Sequence, residues 1–138
     1  MANPAADRRT TAGRILLAMA AVAAAGGAVT AIADLSGASL EVSMVAAWRG
    51  FGLAVFAGLF ALLAWRPTGY PGVLELAIAH KLALTLFALA RPEAADAAEV
   101  AVADGLLTIA LVVVYVLVDA RRAWRPADRD GATVRAVG

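Results

Sequence analysis

Four long apolar segments, separated by short polar stretches, dominate the sequence. They run from about 15 to 33, 44 to 65, 71 to 90 and 100 to 118. Each is close to the roughly 20 residues that an α-helix needs to cross about 30 Å of hydrocarbon. None alternates apolar and polar residues with the two-residue period of a barrel strand. The pattern predicts an all-α integral membrane protein with four transmembrane helices.

Short connections join these segments, at 34–43, 66–70 and 91–98. Connections of this length place consecutive helices side by side and antiparallel. Pro67 and Pro92 are expected to end the second and third helices, because proline lacks the backbone donor that a helix interior requires. The predicted architecture is an up-down four-helix bundle.

The chain divides into three regions. Residues 1–14 form a polar N-terminal arm, and residues 15–119 hold the four spans. Residues 120–138 are rich in charge, alanine, proline and glycine, which predicts a disordered basic tail. The first span has an alternative interpretation as a cleaved signal peptide, because it follows an arginine pair and ends in Ala-Ile-Ala. Its 19 uncharged residues favour a retained helix.

Composition strengthens the membrane interpretation and removes several kinds of chemistry. Hydrophobic residues make up 62% of the chain and charged residues 17%, which leaves too few polar groups to cover a water-soluble domain. The absence of cysteine and the presence of a single histidine exclude disulfides, thiolate metal sites and iron–sulfur clusters. No metal or other cofactor is predicted. The abundance of alanine and the preference for arginine over lysine indicate a bacterial source.

Arginines are distributed very unevenly between the two predicted sides of the membrane. The arm, the second connection and the tail hold nine, whereas the third connection holds one beside acidic residues. The positive-inside rule then places both termini in the cytoplasm and the chain in the bacterial cytoplasmic membrane. Because the tail arginines adjoin a span, they are assigned to topology and anionic-lipid contact, and no nucleic-acid partner is expected. The nine are Arg8, Arg9, Arg14, Arg66, Arg121, Arg122, Arg125, Arg129 and Arg135.

Four charged residues fall inside the predicted spans: Arg49, Glu75, Lys81 and Asp104. Charges in a bilayer are costly unless they are paired or face water, so each is a candidate functional residue. Depth along the helices predicts a cluster in which Asp104 balances Arg49, Lys81 or both. One hypothesis is that this cluster binds a quinone or a lipid head group. The alternative is that Lys81 pairs with Asp104 and locks two helices, while Arg49 reaches the head groups.

Further polar side chains lie close to this cluster. His80 adjoins Lys81 at mid-span and is a candidate for proton transfer. If the site is catalytic, His80, Lys81 and Asp104 are its candidate catalytic residues. Thr85 and Thr108 lie one turn beyond the lysine and the aspartate and would line a shared crevice. In the alternative interpretation, both threonines bond to their own helix carbonyls.

The second span also carries a ridge of small residues, Gly50, Ala54 and Gly58. Such a ridge lets another transmembrane helix approach closely. A seam within the bundle is the preferred interpretation, and an interface with a second copy or a membrane partner subunit is the alternative.

The second span, from Trp48-Arg49-Gly50-Phe51-Gly52-Leu53 to Gly58-Leu59-Phe60-Ala61-Leu62-Leu63, together with the four-helix pattern, resembles the small DoxX-like bacterial membrane proteins. The resemblance implies a four-helix inner-membrane protein, in a family of which some members are associated with quinone-linked redox chemistry. Only Arg49 and the neighbouring glycines correspond to a recognisable motif.

Three functional hypotheses follow. The first is a structural or accessory four-span protein in contact with the lipid bilayer, which binds lipid or quinone. The second is a membrane-embedded enzyme or redox subunit that acts on a lipophilic substrate through Arg49, His80, Lys81 and Asp104. A minimal oligomeric transporter is third, because neither inverted repeats nor broken helices are evident.

Overall fold

The computed structural model describes residues 4–124, which form four α-helices and two short 3₁₀ helices, with no strand in that range. The prediction of an all-α, four-helix chain is confirmed. The first 3₁₀ helix follows α1 and the second follows α4, at Asp34–Gly37 and Ala120–Trp124. The α-helices are α1 (Pro4–Ala33), α2 (Leu40–Trp65), α3 (Val73–Ala90) and α4 (Ala97–Leu117).

The two prolines set the ends of α2 and α3 as the sequence predicts. The helices end at Trp65 and Ala90, and the residue that follows each, directly before the proline, leaves the helical region: φ is −133° at Arg66 and −132° at Arg91. The proline ring clashes with a helical conformation at the preceding residue, so both helices end for the same steric reason.

Consecutive helices run antiparallel in the bundle. Helix α1 packs along α2 and also against α4, while α3 packs against α4. Helices α2 and α3 meet through side chains, with Phe56 against His80. We call the end with the start of α1 and the α2–α3 connection the lower end. The end with the other two connections is the upper end.

The hydrophobic core lies in the lower half of the bundle. Its largest side chain, Phe60 of α2, is fully buried against Leu17 of α1 and residues of α3 and α4. In the upper half, the buried residues are small, among them Ala28, Gly50 and Ala88. Large side chains therefore fill the lower half of the bundle. In the upper half, the helices pack through small residues that let their backbones approach closely. The core comprises Leu17, Phe60, Leu63, Leu74, Ala77, Leu111, Val114, Val118 and Ala120.

Most of the predicted arm, residues 1–14, belongs to α1, because that helix begins at Pro4. Alanine and arginine are good helix formers, so the helix continues through the polar segment. Gly13 is buried where α1 crosses α4, and a Cβ placed there would lie 2.6 Å from Val118 Cγ1. The absence of a side chain at Gly13 lets the two helices approach.

The predicted disordered tail is ordered over its first residues. Ala120–Trp124 forms a 3₁₀ helix, and Trp124 Nε1 donates a hydrogen bond of 2.9 Å to Glu75 Oε1. The indole also lies over Gly72, which has a φ of +87°, a conformation that glycine adopts at little cost. This contact orders the segment and gives Glu75 a partner. The remainder of the tail prediction, 125–138, lies outside the described residues.

The small-residue ridge of α2 contributes to the bundle at one of its three positions. Gly50 is buried, and a Cβ there would approach Ile32 Cγ1 of α1 to 3.0 Å. Ala54 and Gly58 are exposed, and a Cβ at Gly58 would meet nothing within 4 Å. Within this chain the predicted seam is therefore restricted to Gly50, because Ala54 and Gly58 face away from α1.

Large apolar side chains cover the outside of all four helices, for example Val22, Leu40, Leu76 and Val116. Only 11–22% of the most apolar stretch of each helix is buried in the chain. All four helices are long and apolar enough to cross a membrane.

We expect Gly13→Ala to be about 1–3 kcal/mol less stable to unfolding than Gly26→Ala, because both changes favour the helix but only the methyl group at position 13 overpacks the contact with Val118. Gly26→Ala is the matched control in the same helix: its Cβ would meet nothing within 4 Å, and alanine favours the helix by about 1 kcal/mol. Denaturant titration of both variants in detergent measures the effect. Equal stability of the two variants would contradict the proposed role of Gly13.

Candidate functional site

The buried charges of the bundle are Lys81 on α3 and Asp104 on α4. Lys81 Nζ lies 2.7 Å from Asp104 Oδ1, and the two side chains are 6% and 14% exposed. This pairing is the one that the second hypothesis for the charged cluster predicts, in which the lysine and the aspartate hold two helices together. Because each charge neutralises the other away from solvent, the contact fixes the relative position of α3 and α4.

Phe56 of α2 lies on the other side of the lysine. The Lys81 ammonium is 4.7 Å from the centre of the Phe56 ring, within the range of a cation–π interaction. The His80 ring lies at the same distance from Phe56, tilted by 43°. His80 is exposed on α3. Phe56 therefore connects α2 to both the histidine and the ion pair.

The two predicted threonines bond to their own helices. Thr85 Oγ1 donates to the Lys81 carbonyl at 2.8 Å, and Thr108 Oγ1 donates to the Asp104 carbonyl at 2.7 Å. Thr85 also contacts α4, because a Cβ on Gly105 would lie 3.4 Å from its Cγ2. Both threonine hydroxyls thus bond to their own helices, and Thr85 packs against α4.

Arg49 is not part of this pair. Its guanidinium contacts Asp96 Oδ2 at 3.3 Å and Glu99 Oε1 at 3.2 Å, at the upper end of the bundle. All three side chains are at least half exposed, and exposed ion pairs contribute only about 0–1 kcal/mol. The predicted depth of Arg49, in the first turns of the second span, agrees with this position at the upper end. Its predicted partnership with Asp104 is replaced by carboxylates at the start of α4.

The two charges therefore form a direct salt bridge. In residues 4–124, every buried side-chain nitrogen or oxygen has a hydrogen-bond partner, and no group of three or more His, Asp or Glu side chains is arranged to hold a metal ion. A charge pair whose atoms are in direct contact leaves no position between them for a substrate. In this arrangement, each charge neutralises the other inside an apolar bundle.

Two residues of the site were absent from the sequence prediction. Phe56 resembles any other apolar residue of the second span, so its position over Lys81 has no signature in the pattern. Gly105 follows Asp104 directly. A glycine beside a charge in an apolar helix indicates that another helix can approach closely at that point, so the sequence does carry a signal for this residue. Its contact with Thr85 explains how α3 and α4 come near enough to form the pair.

Comparison of the chain with family models, with curated proteins and with solved structures finds no match. The resemblance of the second span to DoxX-like proteins stays a prediction.

We expect Lys81→Met and Asp104→Leu each to destabilise the bundle by about 3–5 kcal/mol, because each leaves one buried charge without its partner. The double variant should recover most of this loss, because polar contacts between membrane helices have a net value of only about 0.6 kcal/mol. Unfolding titrations of the four proteins in detergent form the double-mutant cycle. If the double variant lost the sum of the two single effects, the residues would not act as a pair.

Proposed function

We propose that this chain is a multi-pass membrane protein of structural or accessory type, with four spans and no catalytic centre at its intramembrane charges. The observation that carries the proposal is the closed Lys81–Asp104 pair inside a bundle whose outer surface is apolar. A water-soluble bundle would bury its large apolar side chains, whereas lipid solvates them. In such a bundle, a single buried ion pair fixes the position of α3 along α4.

The distribution of charge supports an orientation with both termini in the cytoplasm. At the lower end, arginines predominate over acidic residues, whereas carboxylates predominate at the upper end. Positive residues are retained on the cytoplasmic side during insertion. The proposed location is the bacterial cytoplasmic membrane. The lower arginines among the described residues are Arg8, Arg9, Arg14, Arg66, Arg121 and Arg122.

We include the first helix among the retained spans. Leu17 is fully buried in the core, and Gly13 meets Val118 at the end of α4. Removal of α1 would expose the faces of α2 and α4 that it covers, so the packing favours retention over cleavage.

The enzyme hypothesis has less support from the geometry. It requires Lys81, Asp104 and His80 to border a common cavity, whereas the first two are in direct contact and His80 is exposed, with its ring against Phe56. A quinone or a lipid head group would have to break the ion pair in order to bind between its charges.

The exposed part of the α2 ridge supports association with a second copy or with a membrane partner subunit. Ala54 and Gly58 are exposed and one turn apart, which is the spacing that lets another helix approach closely. An accessory protein of this kind acts by packing against another membrane helix.

The absence of native cysteine makes single-cysteine labelling a direct test of insertion and orientation. In intact bacterial cells, a membrane-impermeant maleimide should label the Ser36→Cys and Ala94→Cys variants. The Thr68→Cys variant should react only after permeabilisation, because its connection lies on the cytoplasmic side. All three should stay in the membrane on alkaline carbonate extraction. Extraction into the soluble fraction would contradict insertion, and labelling of Thr68→Cys from outside would reverse the orientation.

For the ridge, Gly58→Leu should reduce the mass of the protein complex in mild detergent to that of one chain, 14.1 kDa, as measured by light scattering. Gly52→Leu is the matched control: it makes the same change in the same helix, also with open space around the new Cβ, but off the ridge. A wild-type particle that contains one chain alone, or equal losses with both variants, would contradict association through the ridge.

A further inference from the structure

An open groove of about 490 Å³ lies on the outside of the bundle at the lower end of the α1–α2 contact. It is separate from the Lys81–Asp104 pair, and its residues come from the first turns of the apolar part of α1 and from the last turn of α2. The lining residues are Thr11, Arg14, Ile15, Ala18, Ala64 and Trp65.

The polar part of the groove is built around Arg14. Its Nε donates a hydrogen bond of 2.8 Å to the Ala64 carbonyl, one of the carbonyls that the end of a helix leaves without a partner. This bond uses one of the five N–H donors of the guanidinium group. It holds the side chain at the groove, with its remaining donors suited to a phosphate, which arginine binds through two parallel hydrogen bonds.

A second cation lies beside the groove. The Arg66 guanidinium is 5.5 Å from the centre of the Trp65 ring, in a cation–π contact. None of the residues that line the groove is acidic. The groove therefore has one arginine and one threonine hydroxyl in its lining, a second arginine beside it and no carboxylate among its lining residues, which gives it charge complementarity to an anion.

The apolar part of the groove lies toward the middle of the bundle. Thr11, Arg14, Ile15 and Ala18 follow the i, i+3, i+4, i+7 spacing of a single helix face. The two polar residues come first, and the two apolar ones follow. The small Ala18 leaves space between Ile15 and Trp65. A ligand that fits this order has a negative head group and a hydrocarbon chain that continues from it along the helix axis.

We propose that this groove is a binding site for an anionic phospholipid of the cytoplasmic leaflet, with the phosphate at Arg14 and Thr11 and an acyl chain along Ile15 and Ala18. The site rests on the proposed membrane insertion, which puts the lower end at the cytoplasmic head groups. Basic pockets between helices on that side of a membrane bind the phosphates of lipid head groups. The tryptophan is also at the depth where such side chains contact head groups.

Quenching of Trp65 fluorescence by brominated lipids tests the site directly. The chain has three tryptophans, so Trp48→Phe and Trp124→Phe leave Trp65 as the only emitter. The full-length protein is incorporated into vesicles that contain brominated phosphatidylglycerol or brominated phosphatidylcholine. We expect the anionic lipid to quench more strongly at equal mole fraction, with a preference that decreases as salt is raised.

Arg14→Gln should lower the preference for phosphatidylglycerol by more than the roughly five-fold that any arginine near an anionic surface contributes, because it also removes hydrogen bonds to the phosphate. Arg9→Gln is the matched control, because it removes the same charge from the same helix outside the groove. Ala18→Phe fills the apolar part while it leaves the Arg14–Ala64 contact in place, so it should reduce quenching by the anionic lipid without a change of charge.

Three results would overturn the site: equal quenching by the two lipids, an Arg9→Gln effect as large as that of Arg14→Gln, or displacement of the brominated lipid by millimolar glycerol 3-phosphate. The last would identify a site for a free phosphate compound. Vesicle flotation separates this failure from that of the proposed function: a protein that does not float with vesicles is not a membrane protein. A protein that floats without lipid preference lacks only the site.

Discussion

Packing around Phe60 and Leu17 is the interaction on which the rest of this bundle depends. These side chains bring all four helices together in the lower half, where α1 and α2 meet α3 and α4 around one continuous core. Above that level the buried residues are small, and contacts depend on backbone approach at Gly50, Ala88 and Ala97. The lower half therefore sets the positions of the helix axes, and the upper half follows them. The ion pair lies where this change occurs, and it adds a fixed contact between α3 and α4 to the packing beneath it.

Charge has different physical roles at different depths of the molecule. At mid-bundle, Lys81 and Asp104 are matched one to one, because an isolated charge among apolar side chains would be costly. At the upper end, Arg49 is shared between two exposed carboxylates and adds little stability. At the lower end, arginines outnumber acidic residues, and Arg14 binds a helix end instead of a carboxylate. The same residue types thus serve register, weak surface pairing and, in our proposal, lipid contact.

The proposed accessory function and the proposed lipid site rely on separate parts of the structure. The first depends on the closed pair and the apolar surface, and the second on the groove between α1 and α2. Both depend on the same condition, that the surroundings of the bundle are apolar at its middle and anionic at its lower end. Such a bundle has few features by which it can distinguish one partner from another. Its outer surface offers only shape and the spacing of small residues, and its hydrogen-bonding groups are concentrated at the two ends.

The sequence by itself determined the number of helices, their approximate bounds and their alternating direction, because span length, short connections and prolines are local properties of the chain. It also brought Lys81 within reach of Asp104, because the long lysine stem can extend toward the shallower aspartate. Only the tertiary structure decided which partner each charge meets. That choice depends on the rotation of each helix about its axis, which is set by the fit of Phe56, Gly105 and the lower core. For this reason Arg49 lies at the expected depth but contacts Asp96 and Glu99. Likewise, the position of Trp124 over Gly72 had no counterpart in the hydrophobic pattern, because a contact between residues so far apart in the chain exists only after the helices have packed.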